Sequence, residues 1–330
     1  MRAFEYTSPT TRDQAIGLLA PAWGQAEVLA GGTDLLGLMK DDVVQPKRLV
    51  NIKEISDLHG ITANAQGLRI GALTTLGDLA DNANVVKNYP ALAEAVNEAA
   101  SPQIRNMATL GGNLCQRPRC WYFRLEEVIC LKKGGSECYA AKGENKYNAI
   151  IAGGPSYIVH PSDLAPMLVA LGARVSVTGS TGKRVIPLDK FFSLPSEGNI
   201  RRENVLKNDE LITDIQVPAS PFAAQSTYLK FKERESLDFA LASVAAALEL
   251  QANKTVKNAR IVLGGVAPIP WRVPDAEKFL IGKTLKADVL AEAGRLALAD
   301  AKPLEKNAYK VPLTQTLVRR ALAKAGGVEA

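Results

Sequence analysis

Four thiols crowded into one short stretch are the residues best able to do chemistry. Cys115, Cys120, Cys130 and Cys138 are the only cysteines in 330 residues, spaced Cys-x4-Cys-x9-Cys-x7-Cys. Structural disulfides would tie distant elements together, and a chain of this length has little need of them. Thiolates are soft donors, and four of them on loops of unequal length suit a [4Fe-4S] cube, around which the chain must wrap. Zinc more often shows paired knuckles with about two to four residues between ligands, and only the first pair comes near that. Zinc, disulfides and free thiols stay open beside the cluster. Arg117, Arg119, Arg124, Lys132 and Lys133 lie in the same stretch. They either offset the charge of a thiolate-bound cluster or form a solvated basic loop. Trp121, Tyr122 and Phe123 either cover such a centre from water or pack a core.

The second candidate chemistry is anion binding by backbone. Gly31-Gly32-Thr33-Asp34 follows the apolar run EVLA, and Gly111-Gly112-Asn113 follows Met107 to Leu110, so each pair is expected after a strand. Glycine has no Cβ and lets amide N–H groups approach a diphosphate closely, although tight turns need glycine for steric reasons alone. Neither loop matches the spaced-glycine dinucleotide fingerprint, and no phosphate loop ending in Lys-Ser or Lys-Thr occurs. Only His59 and His160 are present, too few for a histidine-rich metal site or a conventional triad. His59 reads as a surface residue and His160 as one that orients the Pro-Ser-Asp loop after it. Arg105 reads as structural.

These residues need elements to hold them. Helical spacing covers 12–19, AEVLAGGTDLLGLM reads as strand, glycine turn and helix, and RLVNIK and LRIGAL read as strands. A helix is expected from Pro90 to Ala100, broken by SPQIRNMATLGGNL. The stretch 115–148 is irregular and basic. APMLVALGARVSVTG reads as helix then strand. VPASPFAAQS marks a boundary near 217–226, and an apolar run, a strand with a glycine turn and amphipathic helices follow. The class is α+β. Mean hydropathy near zero and a net charge of +6, from 40 basic and 34 acidic residues without a basic stripe, fit a soluble chain and argue against nucleic-acid binding. No run approaches a membrane span, and the amino end lacks a secretory pattern. A cytoplasmic place, or a periplasmic one reached on a partner's signal, is expected.

LAGGTDLL, IRNMATLGGNL, HPSDLAPMLVALGA and GGVAPIPWR occur in the order found in the FAD-binding subunits of the xanthine dehydrogenase and carbon monoxide dehydrogenase family, and the chain resembles that family along nearly its whole length. The resemblance implies an FAD-binding fold of the vanillyl-alcohol-oxidase (PCMH) type over residues 1–220. A smaller CO dehydrogenase flavoprotein C-terminal α+β domain would cover 221–330. It implies FAD contacts from Ala30, Gly31, Gly32, Thr33 and Asp34 on one side of the diphosphate, and from Thr109, Gly111, Gly112 and Asn113 on the other. Ser162, Asp163 and Leu164 match a third contact segment, and Lys230 falls where the family has a basic residue beside the cofactor, with Lys232 or Arg234 as alternatives. The insert at about 115–148 resembles the subgroup of periplasmic aldehyde oxidoreductases and 4-hydroxybenzoyl-CoA reductases, which implies a [4Fe-4S] cluster on Cys115, Cys120, Cys130 and Cys138. The implied function is electron transfer inside a molybdenum hydroxylase, beside a large molybdenum-cofactor subunit and a small [2Fe-2S] subunit, with no general acid or base on this chain. The rival readings are a self-contained flavin oxidase, for which the 104 residues from Thr227 onward look too plain, and a zinc-stabilised binding module without redox chemistry.

Overall fold

The computed structural model describes residues 1–20 and 22–329. At the amino end the short apolar runs form the parallel strands β1 (Glu5–Thr7), β2 (Ala26–Leu29) and β3 (Arg48–Asn51), in the order β1-β3-β2. Parallel pairing needs crossovers, and the helices Arg12–Leu18 and Leu35–Lys40 supply them. Thr11 caps the first by accepting the Gln14 N–H. Strands β4 (Ile61–Asn64), β5 (Gly67–Gly71), β6 (Arg174–Gly179), β7 (Gly182–Pro187) and β8 (Leu211–Pro218) make an antiparallel sheet ordered β4-β5-β8-β6-β7. The last sheet, ordered β12-β11-β10-β9, is built from β9 (Ser226–Phe231), β10 (Ala242–Leu250), β11 (Val256–Gly264) and β12 (Trp271–Arg272).

The apolar run ASVAAALEL in β10 is explained by burial on both faces. Ala245 and Ala247 point into the main core, with the helices Pro90–Asn97 and Leu164–Ala170, while Ala242, Val244, Ala246 and Leu248 point into a second core under the helix Lys310–Gly326. A period of two sends alternate residues to opposite faces, so one strand serves as a wall between two cores.

Helices fall where expected at Arg12–Leu18, Leu35–Lys40 and Leu164–Ala170, and the fourth is shorter than expected, ending at Asn97. The second glycine pair departs from expectation. Residues 107–110 are not a strand, and Gly111-Gly112 lies inside the short helix Leu110–Leu114, whose cap is Thr109 accepting the Gly112 N–H at 3.2 Å. A hydroxyl at the cap position outweighs the strand preference of the flanking apolar residues over so short a span. The insert is irregular apart from Trp121–Arg124 and two short 3-10 turns. Among the described residues, no helix is long and apolar enough to cross a membrane.

Candidate functional site

The two glycine loops meet. A Cβ on Gly31 would sit 1.8 Å from the Met107 carbonyl oxygen, so only glycine lets the first loop lie against the second. Gly32 follows with φ +73°, a left-handed turn that swings the chain into the helix Leu35–Lys40. Among the described residues the amide groups of 31–34 donate to no protein acceptor, which leaves a row of N–H donors along one wall of a cavity of about 390 Å³. That wall carries Ala30, Gly31, Gly32, Thr33 and Asp34, and the facing wall carries Thr109, Gly112 and Asn113. The donor row on a glycine pair that lines the cavity fits a diphosphate.

The third segment closes one end. Asp163 lines the cavity, and both of its oxygens are taken: Tyr228 Oη donates to Oδ1 at 2.8 Å and Lys230 Nζ to Oδ2 at 2.9 Å. Lys230 also donates to the Glu98 carbonyl at 2.9 Å. Burial pushes the Asp163 carboxyl above its usual range, against the pull of Lys230 and Tyr228. Lys230 is therefore the basic residue at this end. Lys232 pairs with Glu98 at 3.0 Å, and Arg234 with Asp238 at 3.3 Å on the surface. Ser162 donates to Asn113 Oδ1 and accepts the Ala165 N–H, so it joins the second loop to the third. It faces an adjoining cavity lined also by Cys120, Tyr147 and Phe239. His160 is buried, accepts the Ser162 N–H at 3.4 Å and is pushed down to about 4 by desolvation, which suits a loop-orienting residue. His59 is exposed.

Besides Ser162, three expected contacts lie off the cavity wall. Gly111 is turned against Ala72, whose carbonyl oxygen would stand 3.0 Å from an added Cβ. Leu164 is fully buried in the main core, and Lys230 reaches the site through Asp163. Residues that motif reading missed also line the cavity, among them Trp23, Glu27, Arg119, Arg202 and Phe239. Arg202 stacks on Trp23 at 4.3 Å and Arg119 on Phe239 at 4.7 Å. Isolated aromatic and basic residues far apart in sequence give no local pattern to find them by.

Asp34 has a role besides lining the cavity. Its Oδ2 accepts the Arg117 N–H at 2.7 Å, and its Oδ1 meets Arg124 at 2.7 Å and Arg119 at 3.0 Å. On the other side Glu203 pairs with Arg117 at 2.7 Å and with the buried Lys132 at 2.8 Å. Most of the basic residues of the insert are thus ion-paired braces, clamped between the first glycine loop and the segment 200–203. Phe123 is core, whereas Trp121 is largely exposed, in edge contact with Tyr147.

All four cysteines are free thiols. They do not stand together. Cys120 and Cys130 pack in one small cluster with Phe123, Cys120 is an electrostatic neighbour of Cys138, and Asn148 donates toward the Cys120 sulfur at 3.7 Å. Cys115 lies on the cavity wall instead, where burial beside Glu203 and Glu27 pushes its thiol up to about 12. Among the described residues no three histidine, cysteine or carboxylate side chains form a metal-holding group. Thiolates are the right donors for an iron–sulfur cluster, but among the described residues neither the four thiols nor any three of them are assembled into a metal-holding group.

A backbone cradle for an anion, ended by a buried Asp-Lys-Tyr cluster, defines a protein built to grip an extended phosphate-containing cofactor. Residues 2–220 match the family described as FAD binding domain in molybdopterin dehydrogenase, and 226–325 the CO dehydrogenase flavoprotein C-terminal domain. The chain is 35% identical to the aldehyde oxidoreductase FAD-binding subunit PaoB of Escherichia coli, covering 98% of this chain and 99% of that one. It is 31% identical to the carbon monoxide dehydrogenase medium chain of Hydrogenophaga pseudoflava, covering 97% and 96%. The solved structure of reconstituted CO dehydrogenase from Oligotropha carboxidovorans superposes with a TM-score of 0.78 at 26% identity, over 99% of both chains. The chain belongs to the FAD-binding medium subunits of the molybdenum hydroxylase family, which are oxidoreductase subunits.

Proposed function

We propose that this chain is the electron-transfer subunit of a heteromeric molybdenum hydroxylase of the aldehyde or xanthine oxidoreductase type, passing electrons from iron–sulfur clusters to FAD and on to a terminal acceptor. Its partners are a large molybdenum-cofactor subunit and a small [2Fe-2S] subunit, and its own insert holds a further cluster. The observation that carries this reading is the shared use of Asp34, which lines the flavin cavity with its loop and fixes the cysteine-rich insert with its carboxylate. FAD supplies the ability to take electrons singly and release them in pairs. The residues of this chain do the rest. The amides of 31–34 hold the diphosphate, Asp163 offers an oriented carboxylate at the other end, and Lys230 and Tyr228 fix that carboxylate in place. His160, held neutral by burial, positions the Ser162 turn and moves no proton.

The relatives support the partners, since one is named as a medium chain of a carbon monoxide dehydrogenase. The test is anaerobic purification of the chain from its native host, followed by a visible spectrum and metal analysis. Flavin bands with a broad iron–sulfur shoulder, together with co-purifying chains that carry molybdenum, are expected. A lone flavoprotein bleached directly by an organic substrate would favour the oxidase reading, and a colourless zinc protein the binding module.

A further inference from the structure

The anion cradle has a carboxylate at its edge. Asp34 ends the row of N–H donors at 31–34, and a carboxylate beside a diphosphate repels it unless cations outweigh it. Two guanidinium groups meet Asp34 Oδ1, Arg124 at 2.7 Å and Arg119 at 3.0 Å. They differ in what they face. Arg124 donates to the Pro118 carbonyl at 2.8 Å and to the Arg117 carbonyl at 3.1 Å, and it lines neither cavity. Arg119 lines both the flavin cavity and the adjoining one. Its guanidinium is fixed but only partly used. Nη2 meets both protein partners, Asp34 and, at 3.4 Å, Gln116 Oε1, and the group lies over the Phe239 ring at 4.7 Å. Nε is buried and, among the described residues, has no acceptor. An N–H shut off from water without a partner is costly, and an incoming acceptor removes that penalty. The other arginines of the cavity wall are engaged elsewhere: Arg117 with Glu203 at 2.7 Å, and Arg202 with the Leu206 carbonyl and, at 4.3 Å, the Trp23 ring.

Resting on the placement of the FAD diphosphate at 31–34, we propose that Arg119, a residue of the cysteine-rich insert, binds that diphosphate directly, donating the N–H groups that Asp34 and Gln116 leave free. A guanidinium stays protonated, and its planar fork suits two phosphate oxygens. The glycine-loop amides supply dipoles at close range. Arg119 adds the full positive charge that offsets Asp34. The insert is then part of the cofactor site, and Asp34 holds in place the arginine that holds the phosphate.

The test uses the full chain freed of flavin, as wild type, Arg119→Met and Arg119→Lys. Each is titrated with ADP, which carries the diphosphate without the flavin ring, by calorimetry, and with riboflavin, which carries the ring without phosphate, by fluorescence quenching. Arg119→Met is expected to lose about 10- to 100-fold in ADP affinity, the range of a hydrogen bond to a charged group, and to keep its riboflavin affinity. Arg119→Lys, with the charge but not the fork, should recover part of that loss. Equal losses for ADP and riboflavin would make Arg119 a brace of Asp34 and nothing more, and riboflavin weakened with ADP unchanged would put it against the flavin ring. Either result overturns the proposal. A wild-type chain that binds neither FAD nor ADP fails the placement of the diphosphate itself, and this inference with it.

Discussion

At the scale of single residues, the site depends on polar groups that burial has put into one fixed state. His160 is the clearest case. Its folded value of about 4 lies below the ordinary 6.5, so the unfolded chain takes up its proton first as pH falls. Stability from this residue is complete above pH 6.5 and drains away as pH drops toward 4, by about 2 kcal/mol between pH 7 and 5. His160→Gln should remove that share of the acid sensitivity. Denaturant midpoints at pH 7 and 5 check it, and an unchanged pH dependence in the variant would refute the assignment. The buried Lys230 makes a sharper demand. Lys230→Met strands the Asp163 carboxylate without its counter-charge, and removing one partner of a buried pair costs about 3–5 kcal/mol. A denaturant titration should show that loss, together with weaker flavin retention. At this scale the sequence was partly legible. Asp163 and the first glycine loop stand in readable motifs, because close backbone approach and a turn constrain residue type. Lys230 was placed by resemblance and sits beside Asp163 through strand pairing that no local pattern encodes. Cys115 lies on the cavity wall at the end of a five-residue helix, a placement that thiol spacing does not encode.

At the scale of elements, the two loops form a site only because they touch. Gly31→Ala would drive a methyl into the Met107 carbonyl and part the walls, so flavin per chain should fall severalfold. Gly37→Ala, which meets nothing within 4 Å in the helix Leu35–Lys40, should leave flavin content intact and stabilise by up to about 1 kcal/mol. Flavin absorbance per chain after gel filtration separates the two; equal retention in both would remove the contact from the explanation. The insert relies on Asp34 in the same way. Asp34→Ala frees the Arg117 amide and the guanidinium groups of Arg119 and Arg124, so limited proteolysis should cut faster between residues 115 and 148. Unchanged cleavage would mean that Glu203 and Lys132 suffice. Long periodic elements such as Leu164–Ala170 with β6 were readable, since a run of apolar formers bounded by glycine has few alternatives. The helices Pro102–Arg105 and Leu110–Leu114 were not, because four or five residues do not complete the repeat that a pattern needs.

At the scale of the whole molecule, the boundary near residue 220 divides the sequence more cleanly than it divides the packing. Tyr228 and Lys230, beyond it, hold Asp163, before it. Glu94 accepts the Thr227 hydroxyl at 2.8 Å and the Tyr228 N–H at 2.9 Å, and Lys324 pairs with it from the last helix at 2.8 Å. Tyr228, Ala245, Ala247 and Val262 complete the main core. Lys310 is wholly buried and donates to the carbonyls of Tyr147, Asn148 and Gly265, tying the exit of the insert to the turn after β11. The linker composition hid all of this, since proline and serine mark where a chain turns, not how much surface is shared across the turn. Residues 1–220 expressed alone would expose that wall of the main core and leave Asp163 buried without partners, so they should aggregate or bind no flavin. The full chain should unfold in one transition that flavin and tryptophan fluorescence report together. A stable, flavin-loaded fragment, or two resolved transitions, would show that each part keeps a core of its own.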